Sequence, residues 1–166
     1  MILPFILLAV SATASNFPVD VVAGVRLGES EALATDHVRK FGQVERQVGE
    51  RGEVTLKAGD AEVTLCRDRV VNVVLTVGRS VHDFAQFAEI YVKAHGPAQS
   101  PEIWTLDYGK LATGETVVRT DIVRLRWAKA PAFSLAYTEA DDDHEVFVAL
   151  NAPNSCAPQD TAHGTS

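Results

Sequence analysis

One pattern occurs twice in this chain, and it constrains the fold more than any other feature. Residues 28–42 read GESEALATDHVRKFG, and residues 78–96 read GRSVHDFAQFAEIYVKAHG. Each opens on Gly-x-Ser, continues as an amphipathic run, and closes on an aromatic residue or histidine followed by glycine. A serine at the start of a helix can accept from the free N–H groups of the first turn. In the first run Glu29 and Glu31 suit the positive end of the helix dipole. Ala34, Val38 and Phe41 fall at i, i+4 and i+7, one face of a helix. Arg39 and Lys40 take the last turn, and Gly42 is expected in the left-handed C-terminal position. In the second run Ser80 and Asp83 form a capping box. There Phe84, Phe87, Ala88, Tyr91 and Val92 make a broad apolar stripe, which Gly96-Pro97 terminates.

Each helical run is followed by period-2 alternation. Val54 and Leu56 alternate with Glu53, Thr55 and Lys57; Gly59-Asp60 then marks a turn. Ala61, Val63 and Leu65 alternate with Glu62, Thr64 and Cys66, and Arg67-Asp68 is the next turn. Val71, Val73, Leu75 and Val77 form one face of a third strand, with Val70 and Val74 assigned to the other, as expected of a central strand. Residues 43–52 are polar without a clear period, and residues 17–25 read as a short apolar lead-in able to add an edge strand. After the second helix, residues 103–108 (IWTLDY) read as a strand. Residues 117–127 carry Val123, Leu125 and Trp127 on one face and Arg124 and Arg126 on the other. Phe133, Leu135 and Tyr137 alternate with Ser134, Ala136 and Thr138. Val146, Val148 and Leu150 form the last strand, after an acidic turn at 141–143.

Short polar turns between alternating segments argue for antiparallel meanders with one buried face. The expected fold is therefore α+β: two tandem α-β-β-β units joined into one antiparallel sheet with the helices on one face. The domain spans 20–150, with a first unit over about 24–77 and a second over about 78–150. Residues 151–166 have the composition of a flexible tail.

This order, with Gly-x-Ser opening each helix, resembles the tandem-repeat fold of β-lactamase inhibitory protein. A single unit resembles the small outer-membrane assembly lipoproteins of the SmpA/OmlA type, in which a phrase similar to Gly24-Val25-Arg26-Leu27-Gly28-Glu29-Ser30 precedes the helix. The resemblance implies an envelope or secreted binding module without enzyme activity. It also implies contact through aromatic and polar residues on the open sheet face. The chain departs from both groups. It lacks a disulfide within each unit and a lipid-attachment cysteine after the leader, so no functional residue of either group carries over.

At 166 residues the chain is long enough for one domain with a substantial core, and 46% of it is apolar. The formal charge of −7, with no basic cluster, argues against a nucleic-acid partner. Residues 2–10 fit the apolar core of a signal peptide, and Ala12-Thr13-Ala14 fits its cleavage site, although no Lys or Arg follows Met1. The expected leader is 1–14, with a mature start near Ser15; a buried N-terminal strand is the competing reading. The run is too short to span a bilayer, which needs about 20 apolar residues. Export would place Cys66 and Cys156, the two cysteines, where a disulfide persists. Their bridge would tie the tail to the sheet, a stabilisation of about 4 kcal/mol in the chain-entropy model; two unpaired thiols are the alternative. The spacing matches no zinc pattern.

Chemistry-bearing residues have structural readings. Asp141, Asp142, Asp143 and His144 are consecutive, whereas a calcium loop spaces its ligands, so they read as a solvated turn. Ser80, His82 and Asp83 are triad-like in composition only. There is no nucleophile elbow, phosphate loop or His-Glu-x-x-His. No catalytic, metal or cofactor residue is assigned. Trp104, Tyr108, Arg124, Arg126 and Tyr137 are of the types that dominate protein interfaces, and they are the expected partner-binding set. Trp127, in phase with Val123 and Leu125, is expected in the core. The function expected is an exported, non-enzymatic protein that binds another envelope or secreted protein through its open sheet face. The alternatives are a ligand-binding or structural envelope protein with a groove between the second helix and the sheet, and an enzyme of unknown activity.

Overall fold

The computed structural model describes residues 17–110, 116–140 and 143–153, with side chains excepted at 107–110 and 116–118. Helix α1 (Glu31–Val38) continues into a 3-10 turn (Arg39–Phe41) and is followed by four strands: β1 (Glu45–Val48), β2 (Val54–Ala58), β3 (Ala61–Cys66) and β4 (Arg69–Gly78). Helix α2 (Val81–His95) is followed by four more: β5 (Glu102–Lys110), β6 (Thr116–Trp127), β7 (Ala130–Ala140) and β8 (Asp143–Asn151). All eight join one antiparallel sheet in the order β1-β2-β3-β4-β8-β7-β6-β5. The architecture is α+β.

Among the described residues four strands follow each helix: one more than expected in the first half, and the same four segments that the sequence marks in the second, in place of the three of an α-β-β-β unit. The additional strand in the first half is β1, whose four residues are all exposed. No alternation marks it in the sequence because neither of its faces is buried. It is held by pairing with β2 and by Arg46, whose Nε donates to Glu31 Oε1 of α1 at 2.6 Å. The lead-in adds no edge strand: Ala23 and Gly24, both with positive φ, turn the chain back so that Val22 and Val25 form an isolated bridge.

Cross-strand registry defines the covered face. Leu56, Val63, Val73, Leu150 and Phe133 stand in one row across five strands, each at most 1% exposed. Ala34 and Val38 of α1 and Tyr91 of α2 close the same core, so both helices lie on one side of the sheet. α1 packs over β2, β3 and β4, and α2 over β4, β7 and β8. Trp127 belongs to this core, with its ring 5.7 Å from those of Tyr91 and Phe133. Its indole N–H donates to Gly96 O at 3.0 Å, so the buried ring keeps a polar partner. Val70 departs from strict alternation. A register shift at Thr64/Leu65 turns it inward, opposite Leu65, while Val74 stays on the helix-free face.

The helix ends differ from one another. Ser80 accepts from Asp83 N at 3.1 Å, and Asp83 Oδ2 accepts from Arg79 N at 2.9 Å and from the Ser80 hydroxyl at 2.8 Å, a complete capping box. These bonds, that from Arg79 N first, hold the Asp83 carboxyl below its ordinary range. Gly78 is required beside it: a Cβ there would lie 2.5 Å from Asp83 Cβ. Ser30 occupies the N-cap position of α1 but makes no capping bond with its side chain. Asp68, in the β3–β4 turn, accepts from Glu31 N instead at 3.0 Å. Phe41 is 39% exposed, because the 3-10 turn rotates it off the Ala34–Val38 face. Gly42 has the positive φ that favours glycine (φ 149, ψ −165), but outside the left-handed helical basin expected of a helix C-terminus.

Candidate functional site

With both helices on one side, the other side of the sheet carries no helix among the described residues. Its surface can be read from the registry. One row runs Glu102, Arg124, Ala136, Phe147, Thr76. Its neighbours run Trp104, Ile122, Thr138, Glu145 and Arg126, Ser134, Ala149, Val74, Glu62, Lys57. Ser134, Ala136 and Ala149 are small and at most 3% exposed. They form a floor from which the longer side chains of Arg124, Arg126 and Trp104 rise toward the β5 edge.

Three of those side chains and one carboxylate form a single cluster. The Arg124 guanidinium carbon lies 4.4 Å from the Trp104 ring centroid. Arg124 Nε and Nη2 both donate to Glu102 Oε2, at 2.9 and 2.6 Å. Arg126 Nε lies 3.6 Å from Glu102 Oε1. The carboxylate fixes the guanidinium plane and the indole stacks on it, so the flat cationic surface is presented in one orientation. Arg124 keeps 26% of its side chain exposed and Arg126 38%. A pre-ordered, half-buried Trp–Arg pair suits protein contact, because little side-chain entropy remains to be lost on binding.

The structure thus brings together Trp104, Arg124 and Arg126. Tyr108 pairs with Val118 in β5–β6, but its side chain lies outside the described residues. Tyr137 is elsewhere. It is 8% exposed on the helix side, 6.2 Å from the Phe84 ring, with its hydroxyl donating to Glu139 Oε2 at 3.1 Å and 3.0 Å from His144 Nδ1. Burial first, and Glu139 second, raise its pKa. Glu102 is the member that sequence reasoning missed. Its link to Arg124 spans 22 residues and appears only once the β5–β6 register is known.

Other polar groups are taken up by the fold. Ser80 and Asp83 serve the capping box, and His82 Nε2 lies 3.0 Å from Gln86 Nε2 on the same helix. His144 faces Tyr137, while Asp141 and Asp142 lie outside the described residues. Among the described residues no three His, Cys, Asp or Glu side chains gather as metal ligands, no cysteine is a free thiol, and no helix is long and apolar enough to cross a membrane. A cleft beside the end of α2 is lined by Val19, His95, Pro97, Trp127 and Ala130. Lys129 also lines it, and two of its polar groups are engaged within the chain: the Trp127 indole with Gly96 O, and His95 Nε2 with Phe17 O at 2.6 Å.

Comparison with protein-family models, with curated proteins and with solved structures finds no match to this chain.

Proposed function

We propose that the chain is an exported, non-enzymatic binding module that contacts another envelope or secreted protein through the helix-free face of its sheet. The observation that carries this reading is the Trp104–Arg124–Glu102–Arg126 cluster, which is ordered from within and open to solvent. The cleft beside α2 supports ligand binding less well, because its indole and imidazole donors are spent inside the chain. The strand order favours an internal repeat: two runs of four strands, each led by a Ser-opened helix, meet back to back at β4–β8. That arrangement is also the basis of the resemblance to the β-lactamase inhibitory protein fold.

Export and a Cys66–Cys156 bridge belong to the same proposal. Cys66 is 8% exposed at the end of β3. The segment after β8 starts beside the same hairpin, where Ala152 N donates to Val71 O at 2.8 Å. Three residues separate Ala152 from Cys156. Intact mass of the native protein tests both points. A chain starting near Ser15 and lighter by two hydrogens than its reduced form is expected; a full-length, unbridged chain removes the envelope premise.

The binding surface is tested by affinity capture from the envelope and secreted fractions. Trp104→Ala should lose a protein that the native chain retains, while Leu33→Ala, an exposed change on α1, should keep it. Identical retention by all three chains contradicts the proposal.

A further inference from the structure

The two ends of the sheet are not alike. β1 is four residues long, carries Glu45 and Arg46, and is exposed throughout. Short, charged edge strands of this kind resist pairing with another chain. β5 is the opposite edge, nine residues long, and among the described residues no strand covers its outer side. Its apolar members are unusually open: Ile103 is 73% exposed and Leu106 36%. Among the described residues the neighbour of β5 in the sheet is β6, and both helices pack mainly over other strands. A long, apolar, uncovered edge is a template for strand addition.

The sequence of this edge, EIWTLDYGK, is complementary to itself when two copies run antiparallel. Centred on Leu106, all nine residues overlap. The register sets position 102 opposite 110, a glutamate opposite a lysine, and does so twice by symmetry. It sets position 104 opposite 108, tryptophan opposite tyrosine, and position 105 opposite 107. The third charged residue, Asp107, then faces a threonine, and no like charges oppose one another. Slipping the register by two residues, so that its centre moves from Leu106 to Asp107, sets Asp107 against Asp107; slipping it by three the other way sets Asp107 against Glu102. Both are unfavourable across a strand pair. Glu102 keeps its own Arg124 on the inner side.

We infer that β5 is a homodimer edge: two copies pair β5 to β5 antiparallel about Leu106, merging their sheets into one. Such a contact is isologous and closes on itself, because each copy has one long open edge and the short charged β1 edge remains outside. The inference does not depend on the proposed heterologous partner.

Leu106 is the test site, because in this register it faces its own copy. A charge of either sign there repels itself. Leu106→Glu and Leu106→Lys should each weaken self-association by about tenfold, through lost apolar contact plus a like-charge pair. Leu106→Cys should form a covalent dimer on mild oxidation, whereas Glu45→Cys on β1 should not. Sedimentation of the native chain and these variants reads the outcome, with thermal melts confirming that each is folded. A native chain that stays monomeric across its soluble range overturns the inference. So does a dimer that ignores both charged variants, one that only a single sign of charge weakens, or one that Leu106→Cys fails to cross-link.

Discussion

Trp104, Arg124 and Glu102 each do what their chemistry allows only because of the other two. A lone exposed ion pair contributes little, about 0–1 kcal/mol. Here the second and third contacts serve orientation more than stability, which is what a recognition surface requires. Tyr91 illustrates the opposite use of an aromatic residue. It is 6% exposed at the centre of a ring cluster with Phe17, Trp127 and Phe133, and burial raises its pKa from 10.0 to about 12. A raised folded-state pKa means a contribution that is present below pH 10 and lost as pH rises toward 12. The native chain should therefore lose about 2–3 kcal/mol over that interval from this one residue. Tyr91→Phe, followed by urea denaturation at rising pH, should flatten that alkaline loss while leaving the neutral-pH rings packed. An unchanged alkaline slope would mean that Tyr91 ionises as freely in the folded chain as in the unfolded one.

At the scale of elements, the two helices are anchored by different means. α2 carries its own capping box and a stripe ending in Tyr91, so its position was legible from Ser80, Asp83 and the spacing of Phe84, Phe87 and Ala88. α1 borrows its cap from Asp68 in a distant turn, and no local pattern announces such a loan. Asp68→Ala should cost about 1 kcal/mol, as N-cap losses do, and hydrogen exchange should show the first turn of α1 opening before that of α2. Equal exchange at both helix starts would refute the borrowed cap. The strands divide along the same line. β2 and β3 bury one face and declare it by alternation, whereas β7 from Phe133 to Tyr137 and β8 from Val148 to Leu150 are buried on both faces, with small residues on the helix-free side. β1 buries neither face and is silent, and the Thr64/Leu65 bulge moves Val70 across the sheet in a way that counting by two cannot foresee.

At the scale of the whole sheet one asymmetry dominates: among the described residues both helices cover one face of the eight strands and leave the other bare. The α+β class and the candidate Arg positions were readable because alternation separates Arg124 and Arg126 from Val123, Leu125 and Trp127. Tyr137 was grouped with them on residue type alone, yet its phase with Phe133 and Leu135 already placed it on the core side. Glu102 stayed hidden because a cross-strand partner is defined by register, which the sequence of a single strand does not carry. The central claim is that the bare face, at Trp104, is where another protein docks. A photo-reactive phenylalanine analogue at position 104, with Leu33 on α1 as the control position, tests it directly in living cells. The account predicts a discrete adduct with a different protein at 104 and none at 33. An adduct only with a second copy of the chain would credit the β5 edge alone, and no adduct at 104, or the same adduct at both positions, would contradict the claim.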